Sequence, residues 1–196
     1  MSKPVLLVIA GCNGAGKSTF SKPLSPENFT PFDYDLEFLK NYNSLFDSEM
    51  REVMAHQMAF KELENQIEKA IETKSSFCYE TNFNSTPLHW PELFKKNGYD
   101  LHLIFLCLDS IQEATKRVAI RVENGGHFVP NNEIQKRYYD GYSNLNSFYY
   151  YFDYVDLYDS SKYLGKPSHI LSIESAKVIT TTHIPNYLNG LIPNIL

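Results

Sequence analysis

Residues 11–19 read Gly-Cys-Asn-Gly-Ala-Gly-Lys-Ser-Thr, directly after the apolar run Val5-Leu6-Leu7-Val8-Ile9-Ala10. The spacing G-x-x-x-x-G-K-[S/T] is complete, and it constrains the fold more than any other stretch. An unbroken apolar run of this kind fits a central parallel strand buried on both faces. Glycines let the chain turn sharply and bring its backbone close to a ligand. The helix that follows offers its N-terminal amides and dipole to an anion. Gly11, Asn13, Gly14, Ala15, Gly16, Lys17, Ser18 and Thr19 are therefore expected to cradle the phosphates of a nucleoside triphosphate. Lys17 is placed to reach the β- and γ-phosphates, and Ser18 to ligate the Mg²⁺ that accompanies ATP.

The rest of the composition narrows the class. A chain of 196 residues, 43% hydrophobic and 21% charged, suits one ordinary globular domain. Its net charge of −5 argues against a nucleic-acid backbone as the main partner. Cys12, Cys78 and Cys107 are odd in number and lack a C-x-x-C pair, so neither a disulfide framework nor a zinc site is expected. Strand pattern begins almost at the first residue, and no apolar run approaches the ~20 residues of a membrane span. A cytoplasmic setting follows.

Taken in order, strand and helix patterns alternate. A helix from about residue 16 should stop near Lys22, because Pro23 and Pro26 break helices. Phe29 to Phe32 reads as a short second strand delivering Asp33-Tyr34-Asp35. Asp47 to Thr73 is helical, capped by Ser48, with Met50, Val53, Met54, Met58, Ile67, Ala70 and Ile71 as its core stripe. Residues 76–79 form a strand ending in Glu80-Thr81-Asn82, residues 87–97 a helix, and residues 101–108 a clear strand. Helices follow at 111–123 and 132–150, the second with Tyr138, Tyr142, Leu145 and Tyr149 on one face. Short strands at 153–157 and 169–173 precede a small helix or hairpin. The expected class is α/β: a three-layer P-loop NTPase/kinase fold with a mainly parallel central sheet, one domain over 1–196.

Phosphoryl transfer needs positioning, cations on the transferring group and something to orient the nucleophile. Asp35 lies just past a strand's carboxyl end, where open α/β sheets build their sites, and is the candidate base. The alternative for it is a helix cap. Glu80 and Thr81 end the third strand, the place of a second acidic residue or a substrate-binding pair. Arg117 and Arg121 share a helix face, and Lys136 and Arg137 follow on the next helix across Gly125-Gly126-His127. Two helices that converge arginines across a glycine loop suit a lid over a triphosphate, with Arg121 and Arg137 as the leading clamps. No cysteine or carboxylate cluster marks His127 as a metal ligand.

Together these segments resemble the zeta-toxin family of P-loop kinases, most strongly its compact bacterial branch. The residues that carry the resemblance are Gly11 to Thr19, Asp33-Tyr34-Asp35, Glu80-Thr81-Asn82, the block from Arg117 through Gly125-Gly126-His127-Phe128-Val129-Pro130, Lys136-Arg137-Tyr138 and Asp159-Ser160-Ser161. They span about residues 5–161, leaving 162–196 as a C-terminal extension. The resemblance implies a kinase using ATP and Mg²⁺. In the family's characterised toxins the γ-phosphate goes to a sugar hydroxyl of UDP-N-acetylglucosamine. By position Asp35 is then the base, Lys17, Arg121 and Arg137 act on the phosphates, and Glu80, Thr81, Asn82 and His127 bind the acceptor. Cys12, Asp33 and Asn82 depart from the family's usual letters, the last two on the acceptor side. The resemblance also leaves room for an antitoxin protein as partner.

Three functions share this signature. One is a small-molecule kinase acting on a nucleotide sugar or similar acceptor. The second is a P-loop ATPase or nucleotide-dependent switch, and the third a polynucleotide-end kinase. The lid arginines and Asp35 favour the first, because excluding water matters most when hydrolysis competes with transfer.

Overall fold

The apolar run at residues 5–10 becomes the second strand of a six-stranded sheet in the computed structural model, which describes residues 3–27, 29–126 and 128–196. The strands are β1 (Val5–Ala10), β2 (Phe77–Thr81), β3 (Asp100–Cys107), β4 (Tyr154–Asp159), β5 (Ser168–Glu174) and β6 (Lys177–Thr181), in the order β2-β1-β3-β4-β5-β6. The first four run parallel, and β5 and β6 add antiparallel strands at one edge. Ala10 pairs with Thr81 on one side and Phe105 on the other, and Cys107 with Asp159. The carboxyl ends of the four parallel strands therefore finish together. Every loop that leaves them opens at one rim, where α/β sheets bind ligands.

Among the described residues six α-helices accompany this sheet: α1 (Lys17–Leu24), α2 (Tyr34–Ser44), α3 (Arg51–Thr73), α4 (His89–Lys96), α5 (Ile111–Glu123) and α6 (Asn131–Phe148). On one face Leu6, Val8, Leu101, Leu103 and Val155 meet Leu63 and Ile67 of α3, Phe94 of α4 and Tyr142 and Leu145 of α6. Leu188, Ile192 and Ile195 from the end of the chain close the same cluster. Each fully buried aliphatic side chain contributes about 1.5–3 kcal/mol here. On the other face Leu7, Ile9, Cys78 and Ile104 are covered by Leu24 and Phe29. Tyr138, Tyr142 and Leu145 of the expected stripe are buried, Tyr149 stands half-buried just past α6, and the buried hydroxyls are satisfied. Tyr142 donates to the Leu108 carbonyl at 2.9 Å and accepts from the Leu108 amide at 2.8 Å, while Tyr138 donates to that carbonyl at 3.0 Å.

Four local expectations are corrected. The methionine stripe of α3 is not core: Met50, Val53, Met54 and Met58 are exposed, and Ala55, Ala59, Leu63, Ile67 and Ala70 are buried. Two alanines four residues apart let α2 approach closely through Phe38, so the small residues set the buried face. Ser48 is not the cap of α3, which begins after Met50 without a side-chain cap. The expected strand at 29–32 reduces to one bridge, Phe32 to Tyr79, because Pro31 has no N–H to donate. Finally, α1 runs on to Leu24 with Pro23 inside its last turn, where a missing N–H forgoes a single bond to Thr19.

Candidate active site

The phosphate loop takes its shape from close packing. Gly14 has φ +80°, and a Cβ there would lie 2.9 Å from the Ala114 carbonyl oxygen of α5. Only glycine fits such a turn pressed onto a helix. Gly16 caps α1 without a side-chain bond, and no acidic residue occupies the first turn. The opening amides of α1 thus face the rim with the dipole's positive end, an arrangement that suits an anion. Ala15 and Asn13 are buried within the loop, whereas Ser18 and Thr19 are exposed.

Lys17 turns back into the loop, donating to the carbonyls of Gly11 (2.8 Å) and Cys12 (3.2 Å) and to Asn82 Oδ1 (2.9 Å). Burial lowers its pKa, against the opposing pull of Cys12, Asp35 and Glu80. Ser18 Oγ donates to Glu80 Oε2 at 3.0 Å. Burial first, and Asp33 second, raise the Glu80 carboxyl above its ordinary value. The Ser18 hydroxyl at the start of α1 and the Glu80 carboxylate at the end of β2 are hard oxygen donors, the type Mg²⁺ prefers. Among the described residues no three His, Cys, Asp or Glu side chains form a ready-made metal cluster.

Asp33 caps α2, accepting from the Leu36 amide at 3.1 Å. Asp35 is free of the capping task. It sits in the first turn and pairs with Arg121, Nη1 to Oδ2 3.5 Å, with both side chains about two-fifths exposed. Arg121 lies near the end of α5, where Gly126 folds back to donate its amide to the Arg121 carbonyl at 2.9 Å. A Cβ at Gly126 would come within 2.5 Å of Arg121 Cγ, so the Gly-Gly turn is what admits this arginine. Arg137 approaches the phosphate loop from α6, its Nη1 3.4 Å from Asn13 Oδ1 and its Nε 3.6 Å from Glu133. Arg117 contacts backbone carbonyls, Gly14 O, Ser160 O and Ser161 O, and Glu113. His127 lies outside the described residues.

Lys17, Ser18, Asp35, Glu80, Thr81, Asn82 and Arg121 line one cleft of about 600 Å³. Thr81 also shapes its exit, since its hydroxyl accepts from the Phe83 amide at 3.0 Å. Phe83 is fully buried with φ +56°, an uncommon conformation for a bulky side chain. Asn144 of α6 holds that turn by donating to the carbonyls of Phe83 and Asn84. Two parts of the cleft escaped the sequence reading. Phe60 and Trp90, from α3 and α4, line it with Tyr34 and Tyr79 as an aromatic wall. Lys162 to Gly165 also line the cleft and lie past the last recognised motif. The only tryptophan and the glycine at 165 were the available signals.

The Cys12 thiol faces the core rather than the phosphates. It is 3% exposed, and burial pushes its pKa up to about 11. Although Cys12 lies inside the phosphate loop, its thiol is therefore closed to alkylation in the folded chain.

The zeta-toxin family model matches residues 1–161. Among curated proteins, none matches this chain. Among solved structures, one from the PezAT chromosomal toxin–antitoxin system of Streptococcus pneumoniae superposes with TM-score 0.64 at 18% identity, covering 98% of this chain and 79% of its own. A structure of AvrRxo1-ORF1:AvrRxo1-ORF2 with sulphate ions gives TM-score 0.73 at 12% identity, covering 97% of this chain and 63% of that one. A chain of the Pnkp1/Rnl/Hen1 RNA repair complex gives 0.60 at 22%, covering 76% and 47%. This chain thus spans less than two thirds of the last two. Likeness at these identities is likeness of fold.

Proposed function

The chain belongs to the zeta-toxin family, and on that premise we propose that it is an ATP-dependent kinase that phosphorylates a hydroxyl of a small-molecule acceptor. The observation that carries the reading is the Asp35–Arg121 pair, which shares one cleft with Lys17. A base for the nucleophile and a cation for the transferring group stand beside the phosphate cradle. An ATPase would turn the same carboxylate on water, so the labelled product in the test below decides between the two.

In the proposed reaction the phosphate loop and the start of α1 bind the triphosphate, and Lys17 leaves the loop carbonyls for the β- and γ-phosphates. Asp35 takes the proton from the acceptor hydroxyl as its oxygen bonds to the γ-phosphorus. The bond from that phosphorus to the β,γ-bridging oxygen breaks, and ADP leaves. Arg121 and Arg137 counter the charge on the transferring group. Ser18, with Glu80 behind it, would hold the Mg²⁺ that binds with ATP and neutralises phosphate charge. Tyr34, Phe60, Tyr79 and Trp90 offer flat apolar surface to the acceptor, and Asn82 and Thr81 offer polar groups. Such a wall suits a base or the apolar face of a sugar, so UDP-N-acetylglucosamine and related nucleotide sugars are the acceptors to test first. PezAT is a toxin–antitoxin system, and an antitoxin protein is carried into the proposal as a partner.

The test is transfer of label from γ-labelled ATP·Mg²⁺ to a panel of nucleotide sugars, with a 5′-hydroxyl oligonucleotide beside them and Lys17→Ala as control. Labelled sugar that vanishes in the control supports the reading. Label on the oligonucleotide alone favours a polynucleotide kinase, the activity suggested by the RNA-repair likeness, and label only in inorganic phosphate makes the protein an ATPase.

A further inference from the structure

Residues beyond 161 lie outside the family match, yet they reach the phosphate loop through a continuous run of hydrogen bonds. Tyr187 stands in a 3-10 turn over Asn186–Gly190, anchored by the buried Leu188 and Ile192. Its hydroxyl donates to Asp159 Oδ1 at 2.9 Å, at the end of β4. The same oxygen accepts from the amide (3.0 Å) and hydroxyl (2.5 Å) of Ser161, fixing the turn that follows the strand. The carbonyls of Ser160 and Ser161 then point at Arg117, which donates to them at 2.9 and 2.8 Å. Arg117 Nη1 also reaches the Gly14 carbonyl at 3.3 Å, and Nε binds Glu113 at 2.7 Å.

Arg117 is therefore not a second phosphate clamp. Its planar fork already serves four acceptors, and its side chain is only 11% exposed. What it holds is the peptide after Gly14, at the point where the loop rests on Ala114 and on the Arg117 Cβ itself. Fixing that carbonyl fixes the plane of the Gly14–Ala15 peptide, and with it the direction of the amides that follow. We propose that Tyr187 is a positioning residue for donor binding, acting through Asp159, Ser161 and Arg117 on the phosphate loop. The segment after the family region thereby sets how tightly ATP is held, an inference that rests on the nucleotide-binding reading above.

The experiment uses the full chain. Calorimetric titration with ATP·Mg²⁺ is paired with amide hydrogen exchange across residues 11–18 in the absence of nucleotide, for wild type, Tyr187→Phe, Arg117→Lys and Tyr154→Phe. Tyr154 is the control, since its hydroxyl also meets a carboxylate (Glu174, 2.5 Å) but on β4 and β5, away from the loop. Tyr187→Phe is expected to weaken ATP binding about three- to tenfold and to speed exchange in the loop, with β5 and β6 unchanged. Arg117→Lys does the same to a larger degree and carries the test if Tyr187→Phe fails to fold. Tyr154→Phe changes neither readout. ATP affinity within twofold of wild type with unaltered loop exchange, in whichever variant carries the test, overturns the proposal. A wild-type chain that does not bind ATP refutes the nucleotide-binding reading itself.

Discussion

Asp35 Oδ2 and Arg121 Nη1 lie 3.5 Å apart, an ion pair between the first turn of α2 and the last turns of α5. The two groups would act on opposite partners in phosphoryl transfer, one on the acceptor hydroxyl and one on the donor phosphate. In the structure each pairs with the other. Both are partly exposed, so the pair is weak and an arriving triphosphate can redirect the arginine.

Removing Asp35 should separate binding from chemistry. Asp35→Ala is expected to lower turnover by about 10²-fold or more while ATP affinity stays near wild type, because the carboxylate acts on the acceptor. Arg121→Ala should lower turnover at least about 10³-fold. Single-turnover kinetics with a calorimetric Kd for each variant checks both. Near-normal turnover in Asp35→Ala would reduce Asp35 to a helix-end residue.

Glu80 gives a pH signature. Its carboxyl titrates above its ordinary value of 4.5, chiefly through burial and then through Asp33. Between the unfolded value and the raised folded value, the native chain holds a proton that the unfolded chain has lost. Stability therefore falls as pH rises through that window. Glu80→Gln removes this slope and is expected to raise the melting temperature at neutral pH by about 1–3 °C, while impairing Mg²⁺-dependent turnover. Melting curves from pH 4 to 8 provide the check (about the range that brackets a carboxyl shifted in this direction).

The cysteines should be silent to thiol reagents. Cys12, Cys78 and Cys107 are all buried, and burial pushes the first two up to about 11 and about 12 and the third higher still. A maleimide or disulfide reagent at neutral pH is expected to label the native chain only as fast as it unfolds. Rapid labelling of folded protein, followed by mass spectrometry, would contradict the placement of Cys12.

Asn144 is the support of the acceptor rim. Its amide serves the carbonyls of Phe83 and Asn84 just beyond Asn82. Asn144→Ala leaves those acceptors without that donor and is expected to lower stability by about 1–3 kcal/mol, read from the midpoint of urea unfolding. Turnover should fall more than ATP affinity, because the turn belongs to the acceptor side.

Much of this was legible in advance, for identifiable reasons. β1 and β3 declare themselves because long apolar runs leave little choice, and α5, which spans Ile111–Glu123, because Gly125-Gly126 stops it. The placing of Lys17 and Glu80 at one cleft follows from where β1 and β2 end, which topology controls, while Asp35 and Arg121 reach it from the start of α2 and the end of α5. Less legible were the features set by packing between distant elements. Met50, Met54 and Met58 read as core because hydrophobicity alone cannot say that Ala55 and Ala59 face a neighbouring helix. The partners of Arg117 were hidden because the carbonyls that occupy it come from a turn more than forty residues away. Trp90 and Phe60 were invisible as a wall, since nothing local says that α3 and α4 flank the same opening.

The central claim is that the γ-phosphate passes to an acceptor hydroxyl and not to water. The most direct measurement counts ADP released and acceptor phosphorylated in the same reaction with ATP·Mg²⁺ and UDP-N-acetylglucosamine or a related nucleotide sugar. The account predicts one phosphorylated sugar for each ADP, with both lost in Lys17→Ala. ADP accompanied by an equal amount of inorganic phosphate, and no phosphorylated acceptor across the panel, would contradict it.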